Sequence, residues 1–205
     1  MFEDLIVELD PPPNRQGKCV GSKERHLTEA AVMLAYGTHL LRTVPGLHRV
    51  ELHPDGEHAK RFEIAQWLNA RGFYLKESHG TTAWGGTYVS GEQVIAVTSI
   101  PGKGDVVALT PDGVILAECK GGIVNTRHPG QVSRLRKGLC EAVGMLMAIP
   151  QAGRQVAVVP YTETTLRLAQ RVAPRAKAAG IEIALVNELG QVIDVDASSL
   201  EGLLA

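Results

Sequence analysis

The stretch Gly104-Asp105-Val106-Val107-Ala108-Leu109-Thr110-Pro111-Asp112-Gly113-Val114-Ile115-Leu116-Ala117-Glu118-Cys119-Lys120 decides the fold. Two runs rich in Val, Ile and Leu flank a Pro-Asp-Gly centre. Proline presets the first turn dihedral and glycine accepts a positive φ, so the segment predicts a β-hairpin of residues 106–109 and 114–120. Strand alternation puts Glu118 and Lys120 on one face and Cys119 on the other, against an apolar layer. Asp105 opens the first strand, so two acids and an ammonium converge at the end away from the turn. Charges on such apolar strands cost desolvation, which a cation shared by the carboxylates offsets. Oxygen donors suit a hard divalent ion, Mg²⁺, with Mn²⁺ as a substitute. The register stays open at this level. A two-residue loop, Pro111-Asp112, sets Asp105 opposite Glu118, whereas a three-residue loop including Gly113 sets it opposite Cys119. Pro-Asp-Gly favours a type I turn with a glycine bulge, which would need a second irregularity near Gly104-Asp105 to bring the acids together.

Working outward, residues 48–53 read as a short strand and Pro54-Asp55-Gly56 as a turn. Asp55 is placed to cap a helix running to about residue 71, with Ile64, Ala65 and Leu68 inward. Gly72 stops that helix and 73–77 reads as a strand. Residues 79–91, with Gly80, Gly85, Gly86 and Gly91, read as an exposed loop or loose hairpin, whose Trp84 and Tyr88 either stack on bases or cap the sheet. A strand at 94–100 next to the hairpin completes an antiparallel meander. Pro129 opens a helix to about 147 with Val132, Leu135, Leu139, Val143 and Leu146 on one stripe, Arg134 and Lys137 opposite it and Arg136 at its border. Then come a buried strand at 155–160, a helix at 164–179 interrupted or kinked at Pro174, and a strand at 181–186. Upstream, after Pro11-Pro12-Pro13, residues 22–44 carry Leu27, Ala31, Leu34 and Leu41 at helical spacing, ended by Pro45-Gly46. The expected class is α/β: a mixed central sheet, antiparallel meander plus parallel strands, flanked by helices. Residues 1–47 form an N-terminal arm with one helix, and 48–205 the main domain.

The 205 residues are enough for one substantial core. With 21 Lys+Arg against 22 Asp+Glu, a protein that coats nucleic acid by overall positive charge is excluded, and an anionic partner must be met by a local patch. Three cysteines without a CxxC pair argue against a disulfide framework or zinc knuckle and fit a reducing cytoplasm. No signal segment and no apolar run of about 20 residues is seen, so a cytoplasmic protein without a membrane is expected.

Gly104-Asp105-Val106-Val107-Ala108, the Pro-Asp-Gly turn and Ala117-Glu118-Cys119-Lys120 resemble the PD-(D/E)XK nuclease superfamily, the restriction-endonuclease-like group, in its Holliday junction resolvase and Mrr-type branches. The helix end Leu68-Asn69-Ala70-Arg71-Gly72-Phe73 is similar to that family's first core helix. The likeness spans roughly residues 56–186. Gly104 stands where the family has proline, and the 79–91 loop is longer than in a minimal resolvase. The resemblance implies metal-dependent phosphodiester hydrolysis, most simply by a DNA endonuclease. Asp105 and Glu118 would hold Mg²⁺, and Lys120 would orient or deprotonate water or offset charge on the phosphate. A glutamate of the first helix would add to the metal shell. Glu57 shares the face of Ile64 and Leu68 whereas Glu63 points away, so Glu57 is the better placed, although it also reads as an ordinary first-turn acid. Arg127, Gln131, Arg134, Arg136 and Lys137 would form the nucleic-acid contact, against the plainer reading of a solvated helix face. Pairing of two copies as a homodimer, to cut two strands, comes with the resemblance. The alternatives are a catalytically inactive nucleic-acid-binding or assembly subunit on a nuclease fold, or an enzyme directed to RNA or single strands.

Overall fold

A computed structural model describes residues 5–55, 62–100, 104–150 and 153–195. The strands are β1 Ile6–Leu9, β2 Glu24–Leu27, β3 Arg49–Leu52, β4 Tyr74–Ser78, β5 Gly86–Ser90, β6 Gln93–Val97, β7 Val106–Thr110, β8 Gly113–Cys119, β9 Gly122–Ile123, β10 Gly153–Pro160, β11 Ile181–Val186 and β12 Val192–Asp194. The helices are α1 Glu29–Thr43, α2 Ile64–Asn69, α3 Pro129–Ala148 and α4 Glu163–Ala178. Nine strands form one mixed sheet in the order β12-β11-β10-β8-β7-β3-β6-β5-β4, and β1, β2 and β9 form a small second sheet. The chain is therefore α/β, with a large mixed sheet flanked by four described helices. No described helix is long and apolar enough to cross a membrane.

Alternation along the central strands builds two apolar layers. Val156 and Val158 of β10, with Ala184 and Val186 of β11, pack in the cluster that holds Ala31, Leu34 and Tyr36 of α1. Ala157 and Val159, with Ile183 and Leu185, pack instead with Leu139, Ala142 and Leu146 of α3 and Ala169 of α4. A strand buried on both faces reads as a continuous apolar run, as residues 155–160 do. The fifteen residues of α1 include eleven that are buried. Leu5, Leu27, Leu47 and the buried residues of α1 thus pack in one cluster with Val50, Val106, Val156 and Val186.

Several elements differ from the sequence expectation. The predicted helix from Ser22 begins only at Glu29, because Thr28 caps it through Oγ1 to the Ala31 N–H, while 24–27 pair with β1 as a strand. Asp55 and Glu57 were expected at the start of a helix to 71. Residues 56–61, and Glu57 with them, lie outside the described residues, and α2 is described from Ile64, with Trp67 buried beside Ile64 and Leu68. Of the two readings of residues 79–91, the hairpin is the one found and the open loop is not. These residues contain β5, paired with both β4 and β6, and Tyr88 is wholly buried, its hydroxyl donating to the Trp84 carbonyl. The antiparallel meander is corrected too: β3 lies between β6 and β7, parallel to the first and antiparallel to the second. Short apolar strands carry no address for their neighbours, so sequence adjacency gave the wrong partner. α4 continues through Pro174. That residue is exposed, so water can satisfy the carbonyl that proline leaves without a donor.

Candidate functional site

The β7–β8 register settles the loop: Thr110 pairs with Gly113 and Val106 with Ala117, so Pro111-Asp112 is the two-residue loop, and Asp105 lies just before the paired residues at an irregularity where its N–H also turns to Ala117. A two-residue hairpin normally needs a primed turn with positive φ at both central positions, which proline cannot adopt. Gly113, at φ +132°, takes up the mismatch instead, and the Thr110 hydroxyl donates to its carbonyl.

Asp105 sits where β7 begins. Its N–H donates to the Ala117 carbonyl at 2.9 Å, its carbonyl accepts from the His53 N–H at 2.9 Å, and its Oδ2 accepts from the Cys119 N–H at 2.7 Å. The carboxylate thus replaces a main-chain acceptor at the end of the ladder and is held rigidly. Glu118 is 4% exposed, and its carboxyl group and that of Asp105 are close enough to act on one another's titration. Burial pushes both pKa values up. For Glu118 the Asp105 charge adds to that, Lys120 opposes it, and the result is about 7. For Asp105 the Cys119 N–H and Lys120 oppose the rise. Cys119 faces the other way, wholly buried in the α1 layer, as alternation requires.

Lys120 lies two residues on, with its N–H donating to the Val158 carbonyl at 3.0 Å. Its ammonium is 3.7 Å from Glu29 and 3.6 Å from Glu141. Burial disfavours the charge, but Glu29, Asp105, Glu141 and Glu118 outweigh it and the pKa rises. Lys120 is therefore a fixed cation, and of the roles the sequence left open for it, proton abstraction is the one this environment opposes. Two glycines permit the arrangement. A Cβ on Gly121 would fall 2.5 Å from the Glu29 nitrogen, and one on Gly138 would fall 3.2 Å from the Lys120 Cβ. The first lets the N-terminus of α1 reach the end of β8, and the second lets α3 lie against the lysine.

The sequence reading missed Glu29. Its signal was Thr28-Glu29, a capping residue followed by a first-turn acid, hidden because the helix was expected to start earlier. Glu63 is exposed just before α2 and is not among the charges acting on Asp105, Glu118 or Lys120. Gln131, Arg134 and Lys137 line a cleft of about 570 Å³ that also reaches Glu29, Lys120 and Glu141. Arg127 and Arg136 are exposed and do not line it.

The other wall of the cleft is the small sheet. Glu24 of β2, 2% exposed, takes two bonds from the Arg15 guanidinium at 2.7 and 2.9 Å and lies 3.3 Å from the His26 ring. The Arg15 bonds hold its pKa down, and burial opposes them. The Asn125 side chain accepts from the Arg25 N–H and donates to the Val20 and Lys23 carbonyls, pinning this wall to the segment after Lys120.

A hard cation suits the carboxyl pair on one observation: Glu118 Oε2 is buried without a hydrogen-bond partner while burial and the Asp105 charge drive Glu118 toward protonation. Among the described residues no group of three or more His, Cys, Asp or Glu side chains is arranged to hold a metal ion, so Asp105 and Glu118 supply two ligands of a shell that needs more. No protein-family model matches the chain, and neither the curated proteins nor the solved structures searched hold a significant match.

Proposed function

We propose that the protein is a metal-dependent phosphodiesterase acting on DNA as an endonuclease, built on a core that resembles the restriction-endonuclease-like fold of PD-(D/E)XK nucleases. The observation that carries this reading is the Asp105–Glu118 carboxyl pair, with one buried oxygen unpartnered, beside a lysine held as a cation. Perturbed, converging groups of this kind are what hydrolytic sites require. Asp105 and Glu118 would hold Mg²⁺ or Mn²⁺, and the ion when bound polarises a phosphate and lowers the pKa of water. Asp105 is positioned for this by the Cys119 N–H, which keeps Oδ2 fixed while Oδ1 remains for a ligand. Glu29, from α1 at the end of the same strand, serves Lys120 as a counter-charge and does not join the carboxyl pair in a three-ligand group. Lys120 stays positive between Glu29 and Glu141, oriented toward negative charge that grows on a phosphate in the transition state. Arg134 and Lys137 supply the local positive patch that a chain of net charge −1 needs for an anionic substrate.

The test is cleavage of linear, branched and single-stranded DNA, and of RNA, with Mg²⁺ or EDTA, beside Glu118→Ala and Lys120→Ala. Metal-dependent cleavage of DNA lost in both variants supports the enzyme. Binding without cleavage by the parent protein makes it a binding or assembly subunit. Cleavage retained in both variants refutes the assignment of these residues.

A further inference from the structure

The cleft beside Lys120 is lined by the small sheet and by α3. On one side Val7 and Leu9 of β1, two residues apart and so on one strand face, stand beside the His26 ring, the cross-strand partner of Val7, with Arg15 also on the lining. Leu9 is 43% exposed there, a large apolar side chain left open at the wall. Across from them α3 presents Arg134 and Lys137, with Lys120 at the inner end. The volume, about 570 Å³, is that of a small-molecule site.

Resting on the nuclease reading, we propose that this cleft receives one unstacked nucleotide of single-stranded DNA next to the phosphate that is cut. Its base lies on the wall of Val7, Leu9 and the His26 ring, and its backbone runs along Arg134 and Lys137. A duplex keeps its base faces stacked inside and offers an apolar wall nothing, whereas a splayed nucleotide offers a planar apolar face and an anion on opposite sides. The bidentate Arg15–Glu24 pair and the three Asn125 bonds make this wall a built surface that does not rely on ligand to form it.

The experiment measures fluorescence anisotropy of a labelled deoxythymidine oligomer of about 15 nucleotides in EDTA, against its duplex with the deoxyadenosine complement and against the uridine oligomer of the same length. Cleavage of each is followed in parallel with Mg²⁺ and with Mn²⁺. The single-stranded DNA is expected to bind at least about tenfold tighter than the duplex. Leu9→Glu, at an exposed position, is expected to weaken that binding about tenfold by setting a carboxylate against the wall while circular dichroism stays unchanged. Arg134→Ala with Lys137→Ala is expected to lower the affinity and flatten its salt dependence. Equal or tighter duplex binding, preference for the uridine oligomer, or an unchanged affinity in Leu9→Glu overturns the proposal. Duplex cut while the single strand is not cut overturns the cleft assignment and leaves the nuclease reading. A single strand bound through Leu9 but never cut overturns the nuclease reading and supports the cleft.

Discussion

Replacing Glu118 by glutamine tests whether the carboxyl pair is held for function at the expense of stability. In the folded protein the Glu118 pKa stands at about 7, against 4.5 for an unburied glutamate. A carboxyl raised in this way favours the folded state fully when both states are protonated, and that contribution is lost as pH climbs from about 4.5 through 7. At about 1.4 kcal/mol for each tenfold change in proton affinity, the loss above neutrality is about 3 kcal/mol. Glutamine keeps the shape, donates to Asp105 and carries no charge. In EDTA at pH 8 the variant is expected to be about 3 kcal/mol more stable than the parent, or about 6–12 °C in Tm for a domain of this size. At pH 4 to 4.5 the difference should close. Half-buried His39, whose pKa is lowered by desolvation, tilts stability the other way over the same range, but it is common to both proteins and cancels in the comparison. Saturating Mg²⁺ should then raise the Tm of the parent and not that of the variant. The reasoning is refuted if Glu118→Gln is no more stable than the parent at pH 8 in EDTA, or if their difference does not change with pH.

Gly138→Ala removes the helix-interior glycine cost of about 1 kcal/mol but sets a methyl 3.2 Å from the Lys120 Cβ. Melting should move little or upward while kcat falls about tenfold from misplacement of the ammonium. Glu29→Gln removes one of the two counter-charges at 3.6–3.7 Å from Lys120. DNA cleavage should drop roughly a hundredfold, mostly in kcat, and Lys120 should become more reactive toward an amine reagent at pH 9, read by mass spectrometry. Glu24→Gln leaves the Arg15 guanidinium, whose side chain is 21% exposed, without its buried partner. Urea unfolding at pH 7 should show a loss of about 2 kcal/mol, below the value for a fully buried pair because water still reaches Arg15. Because the Glu24 pKa is lowered, that stability is present above the ordinary carboxylate range and should vanish as pH falls through the folded value.

What was legible in the sequence is what short-range chemistry dictates. Alternation along residues 114–120 placed Glu118 and Lys120 on one face and Cys119 in the core. The apolar stripe of Leu135, Leu139 and Leu146 marked the inner face of α3, and the unbroken run at 155–160 marked a strand covered on both sides. Each of these depends on residues within a few positions, where periodicity and desolvation leave one solution. Tertiary structure decided the rest. Proline preferences pointed to a three-residue loop, yet β7 and β8 pair in the two-residue register, and the irregularity at Asp105 brings its carboxylate to the Cys119 N–H. Insertion of β3 between β6 and β7 followed from pairing among short Val- and Ile-rich strands that are nearly interchangeable at the level of composition. Glu29 reached Lys120 because Gly121 lets two backbones nearly touch across ninety positions of sequence, and a first-turn acid reads the same whether it serves the helix dipole or a lysine from another element. Pattern within an element is governed by local free energies, whereas the meeting of elements is governed by which close approaches the whole core allows.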